Sequence, residues 1–429
     1  MKKVYRRAVA VTVMALFVIA ALGLYIIRYV NDGEKWALFF DSSFGTGVST
    51  VTDRNGETLA TLGQGGRYYA KDAKTRMACY QLLGDYGGNV GTGVLNTFMD
   101  ELLGYSLITG IEQKEDTELK LTVDASLNRA AMDALDGRNG AVLVSNYRTG
   151  ELLCMFSSPT IDPLEPPEEL PEGAYINRCI SAGFIPGSVF KLVTVTAAIE
   201  NIDDIYDRTF TCNGAINVMG VTVRCTGTHG TQTVEQALAN SCNCAFGQLA
   251  LELGADTLAK YAEKLGITET HKLDGITTAA GSFVKDDSGS AALAWSGIGQ
   301  YEDLVCPYSM LRLVCAAANG GTVIEPSLLG ASDKETRLMS EETAGRLSSM
   351  MSYNVAYHYG TDRFPGLNVS AKTGTAETGN GLEPHAWFAG FLNDEAHPYA
   401  FVVMIEHGGS GLGSAGAVAN TVLQEAVKQ

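Results

Sequence analysis

Twenty consecutive uncharged, mostly apolar residues run from Ala8 to Ile27, and no other stretch restricts the chain so sharply. As a helix rising about 1.5 Å per residue they span about 30 Å, the thickness of a bilayer's hydrocarbon core. Lys2, Lys3, Arg6 and Arg7 precede this stretch, and basic residues on one flank hold that flank in the cytoplasm. The expectation is a cytoplasmic tail over 1–7, a single-pass plasma-membrane anchor over 8–30, and an exported remainder. A cleaved signal peptide competes, with Ala20, Ala21 and Gly23 as small residues for a cleavage site. Its apolar region is usually about 7–15 residues, which favours the uncleaved anchor.

The 429 residues exceed one ordinary core, and 46% apolar against 18% charged residues describes a folded chain. All 48 acidic residues but only 26 of the 31 basic ones follow Asn31. Such a surface repels nucleic acid and anionic lipid, so neither is expected as a ligand. Nine cysteines are an odd number, which leaves at least one thiol unpaired in an exported chain. Cys212 and Cys225 bracket the turn-rich segment TCNGAINVMGVTVRC and are a candidate disulfide. No CxxC pair occurs, Cys242 and Cys244 are too close for the usual zinc spacing, and the six histidines form no HExxH. Neither a metal nor a cofactor is therefore expected.

Short apolar runs broken by glycines, VTDRNGETLATLG and LLGDYGGNVGTG among them, suggest a small membrane-proximal domain over 31–118. In LKLTVDASLNRAAMDAL the first half alternates like a strand. The second half carries Leu127, Ala130, Ala131 and Leu135 at helical spacing, with Asp124 or Ser126 as N-cap. GAVLVSNYRTGELLCMFSS reads as a hairpin turning at residues 147–150. The stretch 157–173 holds five of eleven prolines and reads as an exposed irregular connection. Helical patterns cover 190–199 and, twice, 234–265, and apolar strands recur at 385–392 and 399–405. Strands at both ends of 119–429 around a helical middle imply an α/β (α+β sandwich) domain, an antiparallel sheet closed between distant segments.

Three short constellations carry chemistry. In Ser188-Val189-Phe190-Lys191 a hydroxyl and an amine three residues apart at a helix start project from one face. A serine needs a base to become a nucleophile, and lysine serves when burial lowers its pKa. Ser241-Cys242-Asn243 offers a second hydroxyl for proton relay and an amide for a peptide backbone, although Ser and Asn are also ordinary helix caps. Lys372-Thr373-Gly374-Thr375 can hold a carboxylate, and Gly374, lacking a Cβ, admits close approach of substrate backbone. The alternative there is a polar turn between strands.

The order SxxK, SxN, KTGT resembles that of penicillin-binding proteins and serine β-lactamases, and most closely the class B, monofunctional penicillin-binding proteins. VTDRNGETLA, LTVDASLN, INRCISAGFIPGSVFKLVT, GIGQ, AAANGG and HAWFAGF look similar to that family in its order. The resemblance implies helices on both faces of the sheet and a D,D-transpeptidase that cross-links peptidoglycan stem peptides and is inhibited by β-lactams. Ser188 would be acylated, Lys191 its base and Ser241 a proton shuttle. Asn243, Lys372, Thr373, Gly374 and Thr375 would bind substrate, and the backbone N–H groups of Ser188 and Thr375 would form the oxyanion hole. It also implies D-Ala–D-Ala stem peptides as substrate and a polytopic lipid II polymerase as membrane partner. One departure is Tyr301-Glu302-Asp303 after Gly299-Gln300, where relatives more often continue with glycine.

Two other functions compete. A D,D-carboxypeptidase or β-lactamase would hydrolyse the acyl-enzyme. Glu165, Glu168 and Glu169 precede Ser188, and neither Glu263 nor Glu269 sits in the ExxLN pattern of class A β-lactamases, so no deacylating residue is assigned. A non-catalytic β-lactam or muropeptide sensor would need a signalling domain, for which seven residues before Ala8 leave no room.

Overall fold

The computed structural model describes residues 2–39, 48–63, 66–103, 105–106, 110–111, 116–286, 288–379 and 381–428. Parts of the expected membrane-proximal unit, including 40–47 and 112–115, lie outside them. The first helix, α1 (Lys2–Phe39), is one uninterrupted run. Side chains from Lys2 to Tyr29 are exposed, so the apolar surface of that stretch is uncovered among the described residues and fits a single-pass membrane anchor.

A four-stranded sheet follows, formed by β1 (Ser49–Thr52), β2 (Thr58–Gly63), β3 (Gly66–Tyr69) and β4 (Thr117–Lys120), with β1 parallel to β4. The expected boundary at 118 falls inside β4. Val51, Leu59 and Leu62 of this sheet belong to the same buried cluster as the central sheet, so the two parts share one core. Arg76 ties the region down further, pairing with Asp162 through Nε at 2.8 Å and a terminal nitrogen at 2.5 Å.

The central sheet contains β5 (Gly140–Asn146), β6 (Leu152–Ser158), β11 (Val369–Ala376), β12 (His385–Leu392) and β13 (Tyr399–Ile405), all antiparallel in the order β11-β12-β13-β5-β6. The hairpin and both C-terminal strands appear as the sequence predicts. β13 pairs β5 with Val403 opposite Val142, which closes the sheet across most of the domain.

Side chains alternate between two buried faces. Leu143, Met155, Trp387, Val402 and Met404 pack with Leu311 and Val314 of α7 (Pro307–Ala318). Val142, Phe156, Phe388, Val403 and Ile405 pack on Leu127 and Ala131 of α2 (Ala125–Leu135) and Val418 and Val422 of α9 (Gly416–Ala426). Burial on both faces explains why these strands are continuous apolar runs. Asp124 is the N-cap of α2, accepting the Ser126 N–H.

Between β6 and β11 lie α3 (Lys191–Asn201) and several short strands, among them β7 (Phe210–Cys212), β8 (Ala215–Val218), β9 (Val221–Arg224) and β10 (Gly230–Gln232). They are followed by α4 (Val234–Ala239), α5 (Asn243–Lys264), α6 (Ala291–Ser296), α7 and α8 (Glu341–Tyr353). The connection over 157–173 is only partly as expected. Residues 157–159 are buried, and 164–172 form its exposed part.

Candidate active site

Ser188 lies on a 3-10 turn, Gly187–Phe190, that runs directly into α3. Side chains three apart eclipse in a 3-10 turn, so Ser188 and Lys191 leave the backbone on one side. Ser188 opens into a cleft of about 810 Å³ that Ser241, Asn243, Thr373 and Thr375 also line. The three constellations, separated by up to 184 positions, therefore converge. Lys191 and Lys372 lie beneath the cleft floor, both fully buried.

Lys191 is the hub. Its Nζ donates to the Ser241 carbonyl at 2.6 Å, to Asn243 Oδ1 at 2.8 Å and to Ser241 Oγ at 3.2 Å. Burial pushes its pKa down to about 7, because an ammonium loses hydration that these dipoles replace only in part. Lys372 donates to Ser241 Oγ at 3.1 Å and to the Thr373 carbonyl at 2.9 Å. Burial, and then the nearby Lys191, hold it well below the usual lysine range. Ser241, on which both lysines converge, has φ of +51°. A non-glycine residue in the left-handed region costs about 1–3 kcal/mol and clusters at functional sites.

Strand β11 is the sheet's edge, so half of its polar groups face the cleft. The Thr373 N–H points outward to Tyr359 Oη at 3.2 Å, and the Thr375 carbonyl accepts Gln300 Nε2 at 3.3 Å. Alternation then turns the Thr375 N–H toward the cleft as well.

Gly374 requires a correction. A Cβ there would sit 2.7 Å from the Pro186 carbonyl and 2.9 Å from Trp387 Cβ. The missing side chain makes room for the turn that carries Ser188 rather than for substrate backbone. Asn243 likewise spends both ends of its amide on protein, Oδ1 on Lys191 and Nδ2 on the Arg224 carbonyl at 3.0 Å. Lys372 lies under the strand rather than in the open cleft. Cys212 and Cys225, the candidate disulfide, are both free thiols.

Several supporting residues escape the sequence reading. Tyr359 accepts from both the N–H and the hydroxyl of Thr373. Gly411 packs where a Cβ would lie 2.4 Å from the Gly374 carbonyl. Trp387 Nε1 donates to the Ile185 carbonyl at 2.9 Å, holding the turn before Ser188. Gly299 accepts the Gly187 N–H at 2.8 Å, and GIGQ was the only signal for it. Tyr301, at φ +76°, occupies a left-handed position, where a residue without a Cβ would carry no strain.

Residues 140–425 match the family model described as the penicillin binding protein transpeptidase domain. The chain is 28% identical over 350 residues to the peptidoglycan D,D-transpeptidase PbpA of Mycobacterium tuberculosis, covering 71% of this chain and 70% of that protein. It is 30% identical over 295 residues to stage V sporulation protein D of Bacillus subtilis, covering 62% and 45% respectively. A D,D-transpeptidase domain of a peptidoglycan glycosyltransferase from Eggerthella lenta superposes with a TM-score of 0.74 at 27% identity, over 89% of this chain and 99% of that one. The imipenem acyl-enzyme complex of M. tuberculosis penicillin-binding protein A has the same fold, with a TM-score of 0.74 at 23% identity over 90% and 99%.

Proposed function

The chain belongs to the penicillin-binding protein transpeptidase family, and from that premise we propose that it is a peptidoglycan D,D-transpeptidase working through a Ser188 acyl-enzyme. The observation that carries this reading is the meeting of Ser188 and Ser241 in one cleft, with the buried Lys191 and Lys372 bonded to Ser241 from beneath it.

Ser188 Oγ attacks the carbonyl carbon of the penultimate D-Ala and gives its proton to neutral Lys191. The Ser188 and Thr375 N–H groups receive the developing oxyanion. Lys191 and Ser241 pass the proton to the leaving amine, and terminal D-Ala departs. The Thr373 and Thr375 hydroxyls take the substrate's carboxylate, with Lys372 beneath them. An amine from a neighbouring stem peptide then attacks the ester and frees Ser188. A β-lactam acylates the same oxygen, but its ring-opened product keeps the leaving group tethered.

Several features favour transfer over hydrolysis. Among the described residues Glu377 is the carboxylate lining the cleft, on the exposed side of the KTGT strand, while Glu165, Glu263 and Glu269 lie elsewhere. The anchor keeps the domain at the membrane, with Lys2, Lys3, Arg6 and Arg7 setting the N-terminus on the cytoplasmic side. A polytopic lipid II polymerase is the partner that would deliver nascent strands to it. Penicillin turnover by the full-length protein tests the choice. Stoichiometric acylation with slow release is expected, and rapid catalytic hydrolysis would make the enzyme a β-lactamase.

A further inference from the structure

Beside Ser241, the cleft wall holds a second cluster that the acyl-transfer chemistry does not use. Cys212 ends β7, Cys225 follows β9, His229 precedes β10, and Cys242 is the N-cap of α5. The β8–β9 hairpin, with Ala215 opposite Arg224, brings the first two cysteines together. One donor atom from each of the four residues lies within 4.8 Å of all the others.

The spacing is that of a metal site. Tetrahedral zinc binds thiolate sulfur at about 2.3 Å and imidazole nitrogen at about 2.0–2.1 Å, which sets sulfurs about 3.8 Å apart and sulfur about 3.6 Å from nitrogen. Cys225 Sγ lies 3.8 Å from Cys242 Sγ and 3.6 Å from His229 Nδ1. The wider pairs need to close by about 1 Å to complete the tetrahedron. Backbone N–H groups already face two of the sulfurs, Asn243 N at 3.2 Å from Cys225 and Ala245 N at 3.5 Å from Cys242. Such outer contacts orient and stabilise ligating thiolates. Cys212 and Cys242 are buried, whereas Cys225 and His229 are half-buried, which leaves an entry path.

We propose that Cys212, Cys225, His229 and Cys242 bind one zinc ion in a closed, structural Cys3His site. Each cysteine exchanges its S–H proton for a Zn–S bond, and His229 contributes the Nδ1 lone pair. Up to three protons leave and no electron moves. Four protein ligands fill the tetrahedron, so no water is activated there. The absence of a CxxC pair concealed the set, because its spacing is set by a hairpin rather than by one turn.

A metal here would also bear on acyl transfer, an effect that rests on the transpeptidase reading. Cys242 stands between Ser241 and Asn243, the two residues that hold Lys191. A metal on Cys242 clamps the left-handed Ser241 turn, which makes Cys242 a positioning residue.

The test uses full-length protein, reduced and purified in detergent without chelator, with metal measured by plasma mass spectrometry. About one zinc per chain is expected, and Cys212→Ser and His229→Ala should lose it. Should those variants fail to fold, cobalt titration of the metal-stripped wild type decides the matter. Visible d–d bands and thiolate-to-cobalt charge transfer, both abolished by one equivalent of zinc, support the site. Protein that holds no zinc and gives no such spectrum overturns it, as does a native disulfide within the set. Ser188→Ala should keep its zinc while losing acylation, which separates this proposal from the assignment of the nucleophile. Stripping zinc should slow β-lactam acylation about 10–100-fold, and an unchanged rate overturns the positioning role.

Discussion

Lys191 and Lys372, both wholly buried, direct their side-chain nitrogens at the same hydroxyl, Ser241 Oγ, from 3.2 and 3.1 Å. Two ammonium groups sharing one uncharged acceptor in a dry site repel one another. Burial and mutual repulsion therefore push both toward the neutral amine. In the proposed mechanism a substrate carboxylate above Lys372 would stabilise the proton there and leave Lys191 as the neutral amine, the form that proton transfer from Ser188 requires.

The pH dependence follows from that arrangement. With Lys191 near a pKa of about 7, acylation by a labelled penicillin should level off above pH 7. Below it the rate should fall about tenfold per pH unit. Stability shifts in the same direction. The unfolded chain binds the Lys191 proton up to about pH 10.4 and the folded one only to about 7, so stability rises with pH between those limits. A rate that stays flat to pH 5.5 would remove Lys191 as the base.

Lys191→Met keeps the volume and removes the amine. Acylation should drop about 10²–10⁴-fold. The melting temperature should move by only a few degrees, because relief of a buried amine offsets the unpaired Ser241 carbonyl and Asn243 Oδ1. Parallel acylation assays and thermal melts check both parts, and near-normal acylation would contradict the assignment.

Gly299→Ala tests the floor under Ser188. Gly299 has φ of +77°, and a Cβ there would lie 2.1 Å from the Gly187 carbonyl. The substitution should destabilise the domain by about 1–3 kcal/mol. Acylation should slow as well, because the displaced group adjoins Ser188. Denaturant titration and labelling kinetics measure the two effects.

Arg76→Met leaves Asp162 largely buried without its bidentate partner, both side chains being about one-tenth exposed. A loss of about 3 kcal/mol is expected, with partial recovery when Asp162→Leu is added. Acylation in the folded fraction should not change. A double-mutant cycle on thermal unfolding reads the coupling.

The sequence exposed whatever depended on local pattern. The apolar anchor, the hairpin ending near Ser158, the strands around Trp387 and Val402, and the three motifs all followed from period, length or residue type. Contacts made through space were hidden. Gly374 looked like an opening for substrate, and only the fold shows the Pro186 carbonyl in that place. Tyr359 lies in a helical segment with no motif, yet it holds Thr373 from across the site. Cys212, Cys225, His229 and Cys242 are spread over thirty positions, and the β8–β9 hairpin, the β7–β10 pair and the start of α5 collect them.

The proposed mechanism stands or falls with Ser188 as the acylated residue. Intact-mass analysis of penicillin-treated full-length protein, followed by peptide mapping, tests it most directly. One adduct per chain is predicted, on the peptide containing Ser188 and absent from Ser188→Ala. An adduct that persists in Ser188→Ala, or that maps to another residue such as Cys225 in the same cleft, would remove Ser188 as the nucleophile.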